Sequence, residues 1–338
     1  MKLLITGSAG FISGYLVEEL LKHGHYVVGI DNFSKYGKVK KSYDDNPNYD
    51  FYEGDVKDTE LMKSLVKDCD QIVAIAAMIG GTAYFHTYPY DIMAENEKII
   101  ASTFDAALAE FKRPGNNLKK ITMFSSSLVF ERAVKFPNRE EDVLFTIPPM
   151  SAYAFQKLTT EYWCRAASDQ YGLPYTIIRP CNCAGIGEKK ALIDPNLPSG
   201  NINMALGHVI PDIVKKIAFG QDPLHILGTG KQTRHFTYAG DIADGVVKSI
   251  ESENSVNEDF NIVTETSTSI LDLAMNIWRR INGDRPFTFV SDEAFKYDQV
   301  IREPSNVKAK ELLGFEAKTT LDQILDEVVP WVQEQIKK

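Results

Sequence analysis

Tyr153 and Lys157 stand four residues apart near the start of a stretch with helical periodicity, so their side chains share one face. A phenol is a poor base at neutral pH because its pKa is about 10. A lysine cation beside it favours the phenolate and lowers that value. Ser126 ends the apolar run at residues 118–124 and can hydrogen-bond a hydroxyl that is losing its proton. The three suit general acid–base work on an alcohol. A Tyr-x-x-x-Lys pair alone is common on helix surfaces, so the reading depends on what carries it.

What carries it begins at the first residues, MKLLITGSAGFIS. Lys2–Thr6 is too short for a helix and reads as a buried parallel strand. Gly7 and Gly10 follow, and apolar residues then recur at helical spacing over residues 11–21. In such a turn, glycines let a pyrophosphate approach, and the helix N-terminus offers it free N–H groups. The pattern is Gly-x-x-Gly-x-x-Ser, short of the full dinucleotide fingerprint. A second strand at residues 25–30 delivers Asp31, about 20 residues past the glycines, where an acid accepts from an adenosine ribose. A carboxylate repels a 2′-phosphate, so NAD is expected rather than NADP. The bland alternative is that Asp31 and Asn32 open a turn. With a nicotinamide nucleotide alongside, proton transfer at Tyr153 couples to hydride transfer, and Lys157 also reaches the nicotinamide ribose.

Strands are expected at residues 49–52, 71–77, 118–124 and 174–179, and helices at 59–67, 90–111 and 151–171. This alternation implies an α/β fold, a Rossmann-type doubly wound parallel sheet. Residues 35–48 read as a surface loop or short helix. Asp55 follows a strand and either meets an adenine or caps the next helix. Residues 78–86 read as a glycine turn at a strand's carboxyl end, where Gly80 and Gly81 either admit a ligand or need positive φ. Residues 188–200, with Pro195 and Pro198, read as a loop. Helices at 210–219, 241–250, 269–281, 307–312 and 321–337, with a short strand at 225–227, build a smaller C-terminal substrate lobe. The expected division is 1–180 plus 237–263 for the cofactor and 181–236 plus 264–338 for the substrate.

A chain of 338 residues with 44% apolar and 25% charged content suits a soluble globular protein. A net charge of −9 argues against nucleic acid or an anionic membrane as partner. The four cysteines, Cys69, Cys164, Cys181 and Cys183, have no metal-site spacing and imply no disulfide framework, so a reducing cytoplasm is expected and no metal. Met1 runs straight into the first strand, and no apolar run reaches membrane length, so neither a signal peptide nor a membrane span is expected.

The chain resembles the extended short-chain dehydrogenase/reductase family, and within it the NAD-dependent nucleotide-sugar epimerases and dehydratases. The resemblance rests on Thr6-Gly-Ser-Ala-Gly-Phe-Ile12, Asp31-Asn-Phe33, Gly54-Asp-Val56, Phe124-Ser-Ser-Ser127, Tyr153-Ala-Phe-Gln-Lys157, Arg179-Pro-Cys-Asn182, Gly228-Thr-Gly-Lys231 with Arg234 and Phe236, and Lys308-Ala-Lys-Glu-Leu-Leu-Gly314. It implies that Gly7, Gly10, Phe11 and Ile12 hold the pyrophosphate, Asp31 and Asn32 the ribose, and Asp55 and Val56 the adenine, with Ala76 and Asn96 also on the cofactor. Ser126, Tyr153 and Lys157 become the catalytic set. Gly80, Gly81, Ser126, Ser127, Asn182, His208, Arg234 and Arg302 fall to a nucleotide-sugar, two arginines suiting its diphosphate.

This sequence departs from the family at several positions. Ser13 replaces the third glycine and Phe130 the usual tyrosine. The family's 4,6-dehydratases carry Asp-Glu where Ser127-Leu128 stand; its decarboxylases use a glutamate, and its GDP-mannose 3,5-epimerases a cysteine, at Leu128. Cys181 and Cys183 read as small buried residues. The resemblance therefore points to C4 epimerisation of a UDP-hexose through a 4-keto sugar. A 3,5-epimerase, a decarboxylase, a 4,6-dehydratase, a 4-keto reductase and a non-catalytic NAD sensor are the alternatives. Helices 90–111 and 151–171 match the pair that joins homodimers in the family.

Overall fold

The computed structural model describes residues 1–187, 208–294 and 296–337. The chain runs β1 (Lys2–Thr6), α1 (Phe11–Lys22), β2 (Tyr26–Asp31), β3 (Tyr49–Glu53), α2 (Thr59–Val66), β4 (Gln71–Ala74), α3 (Thr82–Thr87), α4 (Pro89–Phe111), β5 (Lys120–Phe124), α5 (Ala152–Tyr171) and β6 (Tyr175–Pro180). It continues with α6 (Val209–Ala218), β7 (Leu224–Leu227), β8 (Thr233–Arg234), α7 (Ala239–Glu251), β9 (Glu258–Ile262), β10 (Thr268–Ser269), α8 (Ile270–Asn282), β11 (Phe289–Asp292), α9 (Val307–Leu313) and α10 (Leu321–Lys337).

Seven strands form one parallel sheet in the order β3-β2-β1-β4-β5-β6-β9, the doubly wound Rossmann arrangement that the strand–helix alternation implies. The inner strands are mostly apolar because both faces are covered, whereas the edge strand β3 is exposed beyond Tyr49. In β1, Leu3 and Ile5 pack toward α1 and α7, while Leu4 points the other way, toward α2 and α4. All three are fully buried, each side chain contributing about 1.5–3 kcal/mol. A third core joins α6, α8 and α10 around Trp278 and Leu224. The order of strands reverses between β1 and β4, which opens a crevice at their carboxyl ends.

Most boundaries shift by a residue or two, β8, β9, β10 and β11 were not expected as strands, and three further departures lie in the first half of the chain. β4 stops at Ala74 rather than residue 77, because β1 ends opposite it at Thr6 and the hydroxyl of Thr6 accepts the N–H groups of Ile75 and Ala76 (3.1 and 3.0 Å). The chain thus peels off the sheet toward the glycine turn. Residues 78–86 are not a loop throughout, since Gly81 starts the short helix α3. Residues 35–48 contain turns and no helix. The loop expected at 188–200 lies outside the described residues.

Candidate active site

Gly7 has φ +67°, and a Cβ there would sit 2.9 Å from Cα of Ala76. Only glycine allows this turn and this approach. α1 then starts at Gly10 with no side-chain cap, leaving its first-turn N–H groups to an external acceptor. These groups face a cavity of about 250 Å³ lined by Gly7, Gly10, Phe11, Ile12, Asp31, Asn32, Asp55, Val56 and Ala76. An uncapped helix end, a glycine cradle and a carboxylate at the far wall fit a dinucleotide.

Asp31 does two things at once. One carboxylate oxygen accepts from the N–H of Ala9 (3.1 Å), the other from that of Phe33 (2.7 Å), so it also makes the turn. Burial raises its pKa, and the Phe33 and Ala9 N–H groups work against that rise. Asp55 does not cap α2; Asp58 does, accepting from Glu60 and Leu61. Asn96 is absent from the cavity's lining residues. Its side chain accepts from Met78 N–H (2.7 Å) and donates to Met78 C=O (3.0 Å), which fixes the segment beyond β4 that carries Ala76. Lys57 and Glu95, bonded at 2.5 Å, also line this cavity, and the sequence reading missed both.

A second cavity of about 300 Å³ adjoins the first across Ile12, Ile75, Ala77, Ile79, Cys183 and His208. Cys183 is therefore half-buried on a shared wall, whereas Cys181 is buried. Gly80, Gly81, Ser126, Ser127, Tyr153, Lys157, Asn182, His208, Arg234 and Arg302 all line this second cavity. Gly81 has φ −72° and Gly80 is not among the positive-φ glycines, so left-handed backbone is not why glycine stands there.

Ser151 caps α5 through the N–H of Ala154, and the carboxylate of Glu131 accepts the N–H groups of Met150 and Ser151 (2.6 and 3.0 Å). This clamp sets the first turn, from which Tyr153 and Lys157 point into the cavity. The Lys157 ammonium donates to the carbonyl of Phe124 (2.9 Å) and lies 5.9 Å from the centre of the Tyr153 ring. Burial pulls Lys157 down to about 8. Burial pushes Tyr153 up to about 12, against the lowering by its hydrogen bond with Ser126 and by the Arg302 charge. The ring of Phe85, on α3, covers that of Tyr153, with centroids 4.2 Å apart and planes within 4°. Nothing in the sequence pattern marked Phe85 or Glu131.

On the opposite wall, Arg234 donates to the carbonyls of Thr233 and Gln299 and to the Asp298 carboxylate (2.7, 2.8 and 2.6 Å). Burial, then the nearby Arg302 charge, lowers it to about 10. Arg302 donates to Gln299 (2.7 Å) and Asn182 (3.4 Å). Two guanidinium groups held this close favour an anion between or beside them. Below β5, Arg179 is fully buried and pairs with Glu161 (2.7 Å) and Asp259 (2.6 Å), while Ser125 donates to Glu161 (2.7 Å).

Comparison with known proteins agrees with this geometry. Residues 3–263 match the NAD dependent epimerase/dehydratase family. A UDP-N-acetyl-alpha-D-glucosaminuronate decarboxylase of Bacillus cytotoxicus is 30% identical over 338 residues, 98% of this chain and 97% of its own. A UDP-glucuronate 4-epimerase of Thermodesulfobacterium geofontis is 27% identical, covering 99% of this chain and 97% of the relative. The UDP-glucose 4-epimerase of Thermotoga maritima, solved with UDP-glucose, superposes with a TM-score of 0.80 at 26% identity over 99% of this chain and 100% of that one. This chain belongs to the NAD dependent epimerase/dehydratase family of enzymes, and NAD is its cofactor.

Proposed function

We propose that the protein is an NAD-dependent nucleotide-sugar epimerase that inverts C4 of a UDP-hexose. Tyr153 removes the proton of the C4 hydroxyl, with Ser126 holding that oxygen and Lys157 supporting the phenolate. NAD, which Gly7, Gly10, Phe11, Ile12 and Asp31 would hold, would supply the reversible hydride acceptance that oxidation and re-reduction of the carbinol carbon require. Between the two transfers the 4-keto sugar turns over in the cavity, and Tyr153 returns the proton to the new alcohol. In this reading Arg234 and Arg302 hold the diphosphate, with Asn182, His208, Ser127, Gly80 and Gly81 around the nucleotide-sugar. The cofactor is carried by 1–180 plus 237–263 and the sugar nucleotide by 181–236 plus 264–338, in a cytoplasmic setting in keeping with four free cysteines.

One observation carries the choice among reactions. Leu128 follows Ser127 beside Tyr153, in the apolar cluster with Phe85. Among the described lining residues the carboxylates are already engaged: Glu131 with the backbone of Met150 and Ser151, Asp298 with Arg234, and Asp212 with Lys216 at 2.8 Å. Elimination of water or epimerisation beside the ketone needs a further acid or base, whereas C4 inversion does not.

The test is incubation with UDP-, GDP-, TDP- and CDP-sugars, uronates included, in D₂O, read by NMR. The expected product is inverted at C4 with no deuterium at any ring carbon. Deuterium at C3, C5 or C6 would overturn the reading. Loss of the uronate carboxyl as carbon dioxide favours decarboxylation instead, the activity named for the relative at 30% identity.

A further inference from the structure

We propose that His23, His25 and Glu251 form a binding site for a divalent transition-metal ion, of the zinc class, at the amino edge of the main sheet. His23 is the C-cap of α1, Gly24 turns the chain with φ +76°, and His25 leads into β2. This His-Gly-His turn stacks the two imidazoles, with centroids 6.4 Å apart and planes within 20°. Glu251 ends α7, which packs against α1, and brings one carboxylate oxygen to 3.0 Å from Nδ1 of His23 and 2.9 Å from Nε2 of His25.

All three candidate ligand atoms lie within 4.8 Å of one another. A tetrahedral ion with bonds of about 2.0–2.2 Å spaces adjacent ligands about 3.3 Å apart, so it enters with a small opening of the cluster. Two imidazoles and one carboxylate select zinc, cobalt, nickel or copper over calcium or magnesium. His25 is buried, while His23 and Glu251 are partly exposed, so a water can complete the shell. The second nitrogen of His23 lies 3.7 Å from the Glu19 carboxylate, the outer partner that orients a metal-bound histidine.

The cluster sits at the end of the sheet opposite the NAD cavity. An ion there ties α1, β2 and α7 together and takes no part in hydride chemistry. Without an ion the same atoms form two hydrogen bonds to one oxygen, which is the competing account.

The experiment uses the full chain with NAD bound, stripped of metal and titrated with Zn²⁺ and then Co²⁺ at pH 8. One ion is expected per chain, with a rise in melting temperature. The Co²⁺ form should show a visible spectrum without the thiolate charge-transfer band that binding at Cys183 would give. Glu251→Gln and His23→Gln should each weaken binding at least about tenfold while NAD content stays unchanged. Binding unaltered in both variants, a thiolate band, or no saturation by about 0.1 mM would each overturn the proposal.

Discussion

The Phe85 ring lies parallel to the Tyr153 ring at 4.2 Å and shields one face of the phenol from water. That cover contributes to the burial that pushes Tyr153 up to about 12. Phe85→Ala should rehydrate the phenol and move its pKa down toward the free value of about 10. Because Tyr153 must be deprotonated to act as the base, the ascending limb of kcat/KM against pH then shifts to lower pH. Aromatic pairs are worth about 0.5–1.5 kcal/mol beyond buried area, so placement of Tyr153 should also suffer, by up to about tenfold in kcat/KM. Phe85→Tyr should restore both. An unmoved pH profile in Phe85→Ala would show that the stack does not set the phenol's environment.

Tyr153→Phe removes the one group assigned to proton transfer and leaves the cofactor cavity lined as before. Turnover should drop by about 10²–10⁴-fold with NAD still bound. Full turnover would remove the proton-transfer role from Tyr153.

Lys157 has a stability signature separate from catalysis. Its folded pKa of about 8 lies below the ordinary 10.5, so between those values the unfolded chain binds more protons. This lysine therefore adds stability as pH rises from about 8 to 10.5, and its buried charge is a cost below that window. In NAD-free protein, urea unfolding of wild type against Lys157→Met should diverge over that range, with the wild type gaining. Parallel curves would contradict the burial argument.

Asp31 should set the choice between NAD and NADP, because its carboxylate borders the cofactor cavity. Titration calorimetry should show NAD binding more tightly than NADP, and Asp31→Asn should narrow the gap. Equal affinities in the wild type would remove the ribose assignment. Some loss of stability is expected as well, because the carboxylate also holds Ala9 and Phe33.

A homodimer through α4 and α5 is the remaining hypothesis about assembly. Phe155 and Tyr162, seven residues apart on α5, are 39% and 61% exposed, and Tyr90 on α4 is 73% exposed. Light scattering should give a dimer at micromolar concentration, and Phe155→Asp with Tyr162→Asp should give a monomer. A monomeric wild type would sink the idea.

The sheet was legible because both the strand runs and the glycine turn obey local rules. Gly7 needs its left-handed backbone, and Leu3, Leu4 and Ile5 need two covered faces. The site was legible where one motif supplies neighbouring residues, as with Tyr153 and Lys157. It was not legible where contact is made across the fold. Phe85 meets Tyr153 through a helix too short to announce itself by periodicity. Glu131 reaches back to the first turn of α5 from 20 residues upstream of Ser151. Asn96 looked like a cofactor residue because its place in α4 says nothing about Met78. Asp55 does not cap α2 because Asp58, three positions on, captures the helix end.

The pairing of β6 with β9 bears on how the chain comes to be made. Arg179 and its carboxylate partner Asp259 are 80 residues apart, and the intervening stretch contains α6, β7, β8 and α7. A nascent chain emerging from the ribosome must hold β6 as a raw, hydrogen-bonding edge, with half of the Arg179 charge uncompensated, until that stretch has been translated. Such long-range closure is slow and exposes a sticky intermediate. Production of this protein should therefore depend on elongation speed and chaperone supply more than the stability of its finished form would suggest.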